Sequence, residues 1–314
     1  MRIKNNPKIF YLACGLLVEG DRRYDKHDAE IVALADKIRK VQIDKSVVQW
    51  FNLAKTGQVD ENPYWPRGHA ILMAALYMEE NENYGINHFS DYLESVNMKD
   101  PVGRAEFRDW FSRLPVILTY TEAQFRGFWK EYCEIMFART SSWMPEIQAS
   151  RTPIKEFFGA AAPNLVLAPN LFASPFAADF LRFDDNVITL IASKPNVEIM
   201  LTEILNAEIA KHHDKFSSFG SKYGLAGFAD AAKMKKLGYM QENSSACIAD
   251  VIEECFVRAL SIILAGGDEG RMKRHVSYGF TGLNIISNYF AVHRPKVENL
   301  GGFVDIVLEG IVQA

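Results

Sequence analysis

The chain has 314 residues, of which 48% are hydrophobic, 12% aromatic and 24% charged, enough to bury one large core or two smaller ones. This composition excludes disordered, collagen-like and low-complexity classes. Lys and Arg total 35 against 39 Asp and Glu, a net charge of −4, so no overall basic excess draws nucleic acid or an anionic membrane. No apolar run reaches the roughly 18–20 residues that a membrane-spanning helix needs.

In chain order, Ile9–Val18 is apolar and reads as a buried first helix or strand, stopped by Glu19-Gly20-Asp21. Asp28–Val41 carries Ala29, Ile31, Val32, Leu34, Ala35 and Ile38 at helical spacing. Val47–Leu53 reads as a short helix, and Lys55–Gly68, with Gly57, Pro63, Pro66 and Gly68, as a loop. Ala70–Met78 is a strongly apolar helix. His88–Val96 and Ala105–Leu114 read as amphipathic helices on either side of Asp100-Pro101-Val102-Gly103. Thr121–Phe137 is a long helix with Phe125, Phe128, Trp129, Tyr132 and Met136 along one side.

The texture then changes. Asn164–Ala168 and Val187–Ala192 are β-branched or apolar runs bounded by Pro, Asn and Asp, which are strand signals. Ser193-Lys194-Pro195-Asn196 predicts a turn with Asn196 as N-cap, and Val197–His213 a helix behind it. Phe216–Gly238 reads as a loop with a short helix. Ser245–Leu264 is a second strong helix, stopped by Ala265-Gly266-Gly267. Gly279–Ala314 reads as helical with a break at Arg294-Pro295. No internal repeat or long linker appears. Residues 1–150 form a helical N-terminal region and residues 151–314 a second region, the two continuous in one compact domain.

Cys14, Cys133, Cys247 and Cys255 stand far apart and form no CxxC pair, so reduced thiols are expected rather than a disulfide scaffold or a Cys-based zinc finger. The apolar stretch before Cys14 is only five residues, Ile9 to Ala13, against the 7–15 of a secretory core. A cytoplasmic protein is expected, with a lipoprotein or secreted form as the lesser alternative. The run Lys233–Lys236 reads as a solvated basic face, and FGSKYGLAG lacks the GK[ST] ending of a phosphate loop. No G-x-S-x-G elbow occurs.

The informative block is strand, turn, helix, loop, helix, running from Val187 to Leu264. Thr202 and Asn206 lie four apart and so are neighbours on one helix face, with Glu203 about 100° around. The string Thr202-Glu203-Ile204-Leu205-Asn206 has the spacing of H-E-x-x-H, in which two His at i and i+4 hold zinc and the Glu activates a bound water. His213 falls on nearly the same face, roughly 10 Å beyond Asn206 along a continuous helix. From there it is too distant to replace a ligand at Thr202 or Asn206. A displaced site would need Glu208, His212 or His213 with a partner from another element. The pair Glu254 and Arg258 also reads as an ordinary i,i+4 ion pair.

This block resembles the core of gluzincin metallopeptidases. Glu254-Cys255-Phe256-Val257-Arg258-Ala259 is similar to their third-ligand helix, and Phe107–Val116 (FRDWFSRLPV) with the apolar opening segment resembles the N-terminal half of uncharacterised gluzincin-like peptidases of prokaryotes. The resemblance covers most of the chain in order and texture. It implies an α+β, mainly helical fold with a zincin-like core, a small sheet packed on the Val197–His213 helix, and a helical N-terminal region. It casts Glu203 as a relic general base, Thr202, Asn206 and Glu254 as relic metal-ligand positions, and Arg258 and His213 as supporting residues. Thr hydroxyl and Asn amide are poor zinc ligands beside imidazole, so no metal cofactor is expected at this motif. Without metal, nothing lowers the pKa of a water toward neutrality.

The reading that follows is a catalytically inactive metallopeptidase-like protein. Its partner would be an extended peptide or protein segment, bound by strand addition in the relic cleft, with no nucleic acid or membrane partner. Two alternatives stand beside it. One is an active hydrolase with a non-standard site, using Glu203 as general base with Glu254 or a His as partner, and there zinc is expected. The other is a structural or interaction protein whose resemblance is topological only.

Overall fold

A computed structural model describes residues 2–20, 28–56, 58–59, 62–66, 71–72, 74–75, 109–173, 178–183, 186–192, 194–236 and 245–313. The protein is mainly helical with a small sheet. It divides into two compact units. One comprises residues 1–143, 166–181 and 188–194, the other residues 144–165, 182–187 and 195–314.

Most of the sheet belongs to the first unit, where β1 (Arg2–Ile3) runs parallel to β4 (Asn164–Pro169), pairing Arg2 with Val166 and Ile3 with Leu167. The four-stranded sheet has the order β1-β4-β6-β5, with β5 at Ala178–Phe183 and β6 at Asn186–Ile191. The apolar opening segment is a helix, α1 (Pro7–Val18). Asn6 caps it by accepting from the backbone N–H of Lys8 and Ile9, and Pro7 occupies the first turn, where a missing N–H costs nothing. The α1 residues Phe10, Tyr11, Cys14 and Leu17 are buried in one cluster with Leu34 and Ile38 of α2 (Ala29–Arg39). Phe125, Tyr132 and Met136 of α4 (Leu114–Ser141) complete that cluster with Leu171 and Phe172. The Tyr132 hydroxyl donates to the Pro169 carbonyl at 3.4 Å and accepts from the Leu171 N–H at 3.2 Å, so a buried ring carries a satisfied polar end. Between α2 and α4 stand α3 (Lys45–Thr56) and the hairpin of β2 (Gln58–Val59) with β3 (Asn62–Pro66).

In the second unit the helices are α5 (Met144–Phe158), α6 (Val197–Ile209), α7 (His213–Tyr223), α8 (Ala231–Lys236), α9 (Ser245–Leu264), α10 (Glu269–Ser277), α11 (Gly282–His293) and α12 (Leu300–Gln313). Helix α9 is the centre: α6, α7 and α11 all pack on it. Its Phe256 meets Phe216, Phe228 and Phe303 at centroid distances of 5.3, 5.9 and 6.3 Å, in the tilted or edge-on arrangements that aromatic quadrupoles favour. It ends where expected. Gly266 and Gly267 both take positive φ, and the Gly267 N–H returns to the Ile262 carbonyl at 2.9 Å, closing the helix.

Several expectations need correction. Val197–His213 is not one helix: α6 stops at Ile209, Ala210–His212 is a 3₁₀ turn, and His213 opens α7. The tighter 3₁₀ winding breaks the 3.6-residue phase, so His213 leaves the face of Thr202 and Asn206. The loop with a short helix expected over Phe216–Gly238 holds more helix than that, the end of α7 and all of α8. Helix α5 and strand β5 had no counterpart in the sequence reading. Pro153 inside α5 and the single Arg and Asp within β5 dilute the usual signals. The loop expected at Lys55–Gly68 contains the β2–β3 hairpin. The Ala70–Met78 and Ala105–Leu114 helices lie only partly within the described residues, and His88–Val96 lies outside them. Among the described residues no helix is long and apolar enough to cross a membrane, and all four cysteines are free.

Candidate functional site

Helix α6 begins as its sequence requires. Asn196 is extended at φ −120° and ψ 171°, and its side chain accepts from the Ile199 N–H at 2.8 Å. The helix then buries Met200, Leu201, Ile204 and Leu205, and with them Glu203, which is only 5% exposed. Thr202 and Asn206 are half-buried on either side. Helix α6 packs directly on α9. At that depth Glu203 does not present its carboxylate to bulk solvent.

The second carboxylate of the metallopeptidase pattern is engaged locally. Glu254 pairs with Arg258 one turn along α9, at 2.5 Å. Arg258 also donates to Nδ1 of His275 on α10 at 2.9 Å, and its guanidinium lies 4.5 Å from the centre of the Phe280 ring. Arg258 thus joins α9 to α10 and to the turn before α11. His275 must be neutral to accept that bond. Burial, then Arg258, Arg274 and Arg271, push its pKa down to about 4.

This shift sets a pH dependence with a definite sign. The unfolded chain protonates His275 near its ordinary value of about 6.5, the folded chain only near 4. Between those values the unfolded state holds the extra proton, so stability is lost as pH falls from about 6.5 to 4. The ring is only half-buried, and solvent screening reduces the effect to about 1–2 kcal/mol. Urea unfolding at pH 7.5 and 4.5 is therefore expected to show a smaller pH difference in His275→Gln than in the wild type, by that amount. An unchanged difference would mean that His275 does not titrate between the two states.

Among the described residues, one group of three potential metal-ligating side chains converges: His213, Asp250 and Glu253, whose ligand atoms all lie within 4.8 Å of one another. His213 stands at the first position of α7. Asp250 and Glu253 lie one turn apart on α9, and α7 packs on α9. His213 Nδ1 and Glu253 Oε1 are 2.5 Å apart. The Glu253 contact raises the His213 pKa, against a smaller lowering by burial. Asp250 is pushed up to about 6, first by burial and then by Glu253, with His213 opposing.

Of the residues singled out from sequence, the structure joins Glu254 to Arg258 and places His213 in this other cluster. Thr202, Glu203, Asn206 and Glu254 are not part of the cluster. Asp250 went unnoticed in the sequence. Its only signal was its i,i+3 spacing to Glu253 on one helix face, a spacing too common to stand out without the facing His. No protein-family model matches the chain, and no curated protein and no solved structure matches it significantly.

Proposed function

We propose that this chain is a non-catalytic protein with a gluzincin-like, zincin-type core that binds an extended peptide or protein segment. The observation that carries the non-catalytic reading is the state of the two carboxylates that the metallopeptidase pattern would use. Glu203 is 5% exposed in the face of α6, and Glu254 is held by Arg258. The residues at the two imidazole positions, Thr202 and Asn206, offer a hydroxyl and an amide, which bind zinc poorly.

The binding mode is strand addition. Strand β5 stands at one end of the sheet order, and an edge strand carries backbone N–H and C=O groups that an extended peptide completes. Proline tests this without reference to any side chain, because it removes a backbone N–H and is tolerated in a strand where that N–H faces away from its neighbour. Phe180 and Leu181 are adjacent in β5, so one of the two N–H groups faces outward.

The test begins with selection from a random linear peptide library, followed by anisotropy titration of an enriched peptide. Of Phe180→Pro and Leu181→Pro, the variant that keeps its fold by circular dichroism is expected to bind at least tenfold more weakly. Glu203→Gln is expected to bind like the wild type, and neither protein to cleave the peptide. Cleavage abolished both by chelator and by Glu203→Gln would replace this reading with an active hydrolase using Glu203 as general base.

A further inference from the structure

We propose that His213, Asp250 and Glu253 form a binding site for one divalent transition-metal ion, with zinc the best fit. The argument is geometric. The donor atoms come from two packed helices and already lie within 4.8 Å of one another. Around a tetrahedral zinc with bonds of roughly 2.0–2.2 Å, neighbouring donors stand roughly 3.4 Å apart. Relative to that spacing, the His213–Glu253 contact of 2.5 Å must open and the widest donor separation must close. Each adjustment is on the order of 1 Å, the size of a side-chain rotation. The backbones of α7 and α9 need not move.

The donor chemistry selects the ion. One imidazole nitrogen with two carboxylates suits zinc and its first-row neighbours. Calcium takes six to eight oxygen donors, and magnesium demands a near-octahedral shell in which it keeps several waters, so neither is matched by this set. The charge points the same way. Two carboxylates face a single imidazole, and Asp214 beside His213 adds a third negative group. A divalent cation at this position would offset that negative charge. The side chain of His213 is 46% exposed and that of Glu253 18%, so the ion would sit at the surface with room for water as a fourth ligand.

The site is separate from the Thr202–Asn206 motif and does not rest on the peptide-binding proposal. It differs from the ordinary reading of a His–Glu pair as a surface ion pair in requiring Asp250 as well.

The experiment uses full-length, tag-free protein, with zinc alone as the probe. Binding is measured by competition with a chromophoric chelator, and stoichiometry by inductively coupled plasma mass spectrometry. One zinc per chain is expected. His213→Gln and Asp250→Asn are each expected to weaken binding at least tenfold, and His212→Gln to leave it unchanged. Zinc is expected to raise the melting temperature of the wild type but not of His213→Gln, because only a folded site gains from the ligand. His213 is about half-exposed and is not part of the buried core, so that variant suffices if Asp250→Asn does not fold. No zinc binding, or binding equally tight in His213→Gln, overturns the proposal. Zinc binding that is lost in His213→Gln, accompanied by chelator-sensitive peptide cleavage, would uphold this site and overturn the non-catalytic reading instead.

Discussion

Trp50→Ala is expected to lower the unfolding free energy by about 4 kcal/mol. Trp50 and Trp110 stack with ring centres 4.6 Å apart and planes 12° from parallel. Each indole N–H donates to the other residue's carbonyl, Trp50 to Trp110 at 2.9 Å and Trp110 to Trp50 at 3.1 Å. The pair is thus closed on itself, two large apolar rings with both polar ends satisfied inside the core. Both are nearly fully buried, at 4% and 5% exposure. Truncation at Trp50 removes the stacked ring, opens a cavity and deletes the indole hydrogen bond to the Trp110 carbonyl. Trp50→Phe separates the two contributions, since it keeps an aromatic ring but loses the N–H, and about 1–3 kcal/mol is expected from that change. Urea unfolding monitored by circular dichroism checks both values. A loss below about 1 kcal/mol in Trp50→Ala would show that this pair is not part of the core.

Gly15→Ala is expected to destabilise the protein by about 2 kcal/mol, although helix propensity alone predicts a gain of about 1 kcal/mol for the same change. Gly15 lies in the interior of α1, where alanine is ordinarily the better residue. A Cβ built there falls 2.1 Å from Cζ of Phe51 and within 2.7 Å of two more ring atoms. Phe51 is fully buried and in edge-on contact with Trp50 at 5.1 Å, so its ring has nowhere to retreat. The glycine therefore lets α1 and α3 approach closely, and overpacking outweighs propensity. The compensating variant Phe51→Leu in the Gly15→Ala background should recover part of the loss, because it vacates the ring atoms that clash. The sign of the Gly15→Ala change in a urea titration decides the matter: a stabilised variant would mean that α1 and α3 are not in this contact.

Both predictions concern residues whose importance lies in a partner distant in sequence, and the candidate site follows the same rule. The Glu254–Arg258 pair was legible because its partners are one helical turn apart. That His275 and Phe280 also converge on Arg258 was not, since 17 to 22 residues and a helix reversal intervene. His213 drew attention through its distance from Thr202 and Asn206 along an assumed continuous helix. The 3₁₀ turn at Ala210–His212 broke that phase and gave His213 other neighbours. Glu203 shows the same limit differently. Its place beside the i,i+4 pair was visible in the string, whereas its burial depends on which face of α6 is packed inward.

What the sequence determined by itself was local: the mainly helical class, the Asn196 cap, the glycine stop after α9, the strand character of β4 and β6, and the core stripe on α4. Each follows from residues within a few positions of one another, where period, capping and backbone restriction act. The tertiary structure alone decided which helices face each other, and with them the Trp50–Trp110 closure, the Gly15–Phe51 approach and the meeting of His213 with Asp250 and Glu253. Those contacts span 36 to 60 residues of chain. They are selected by the joint burial of many apolar side chains, a non-directional force that leaves little mark at any single position.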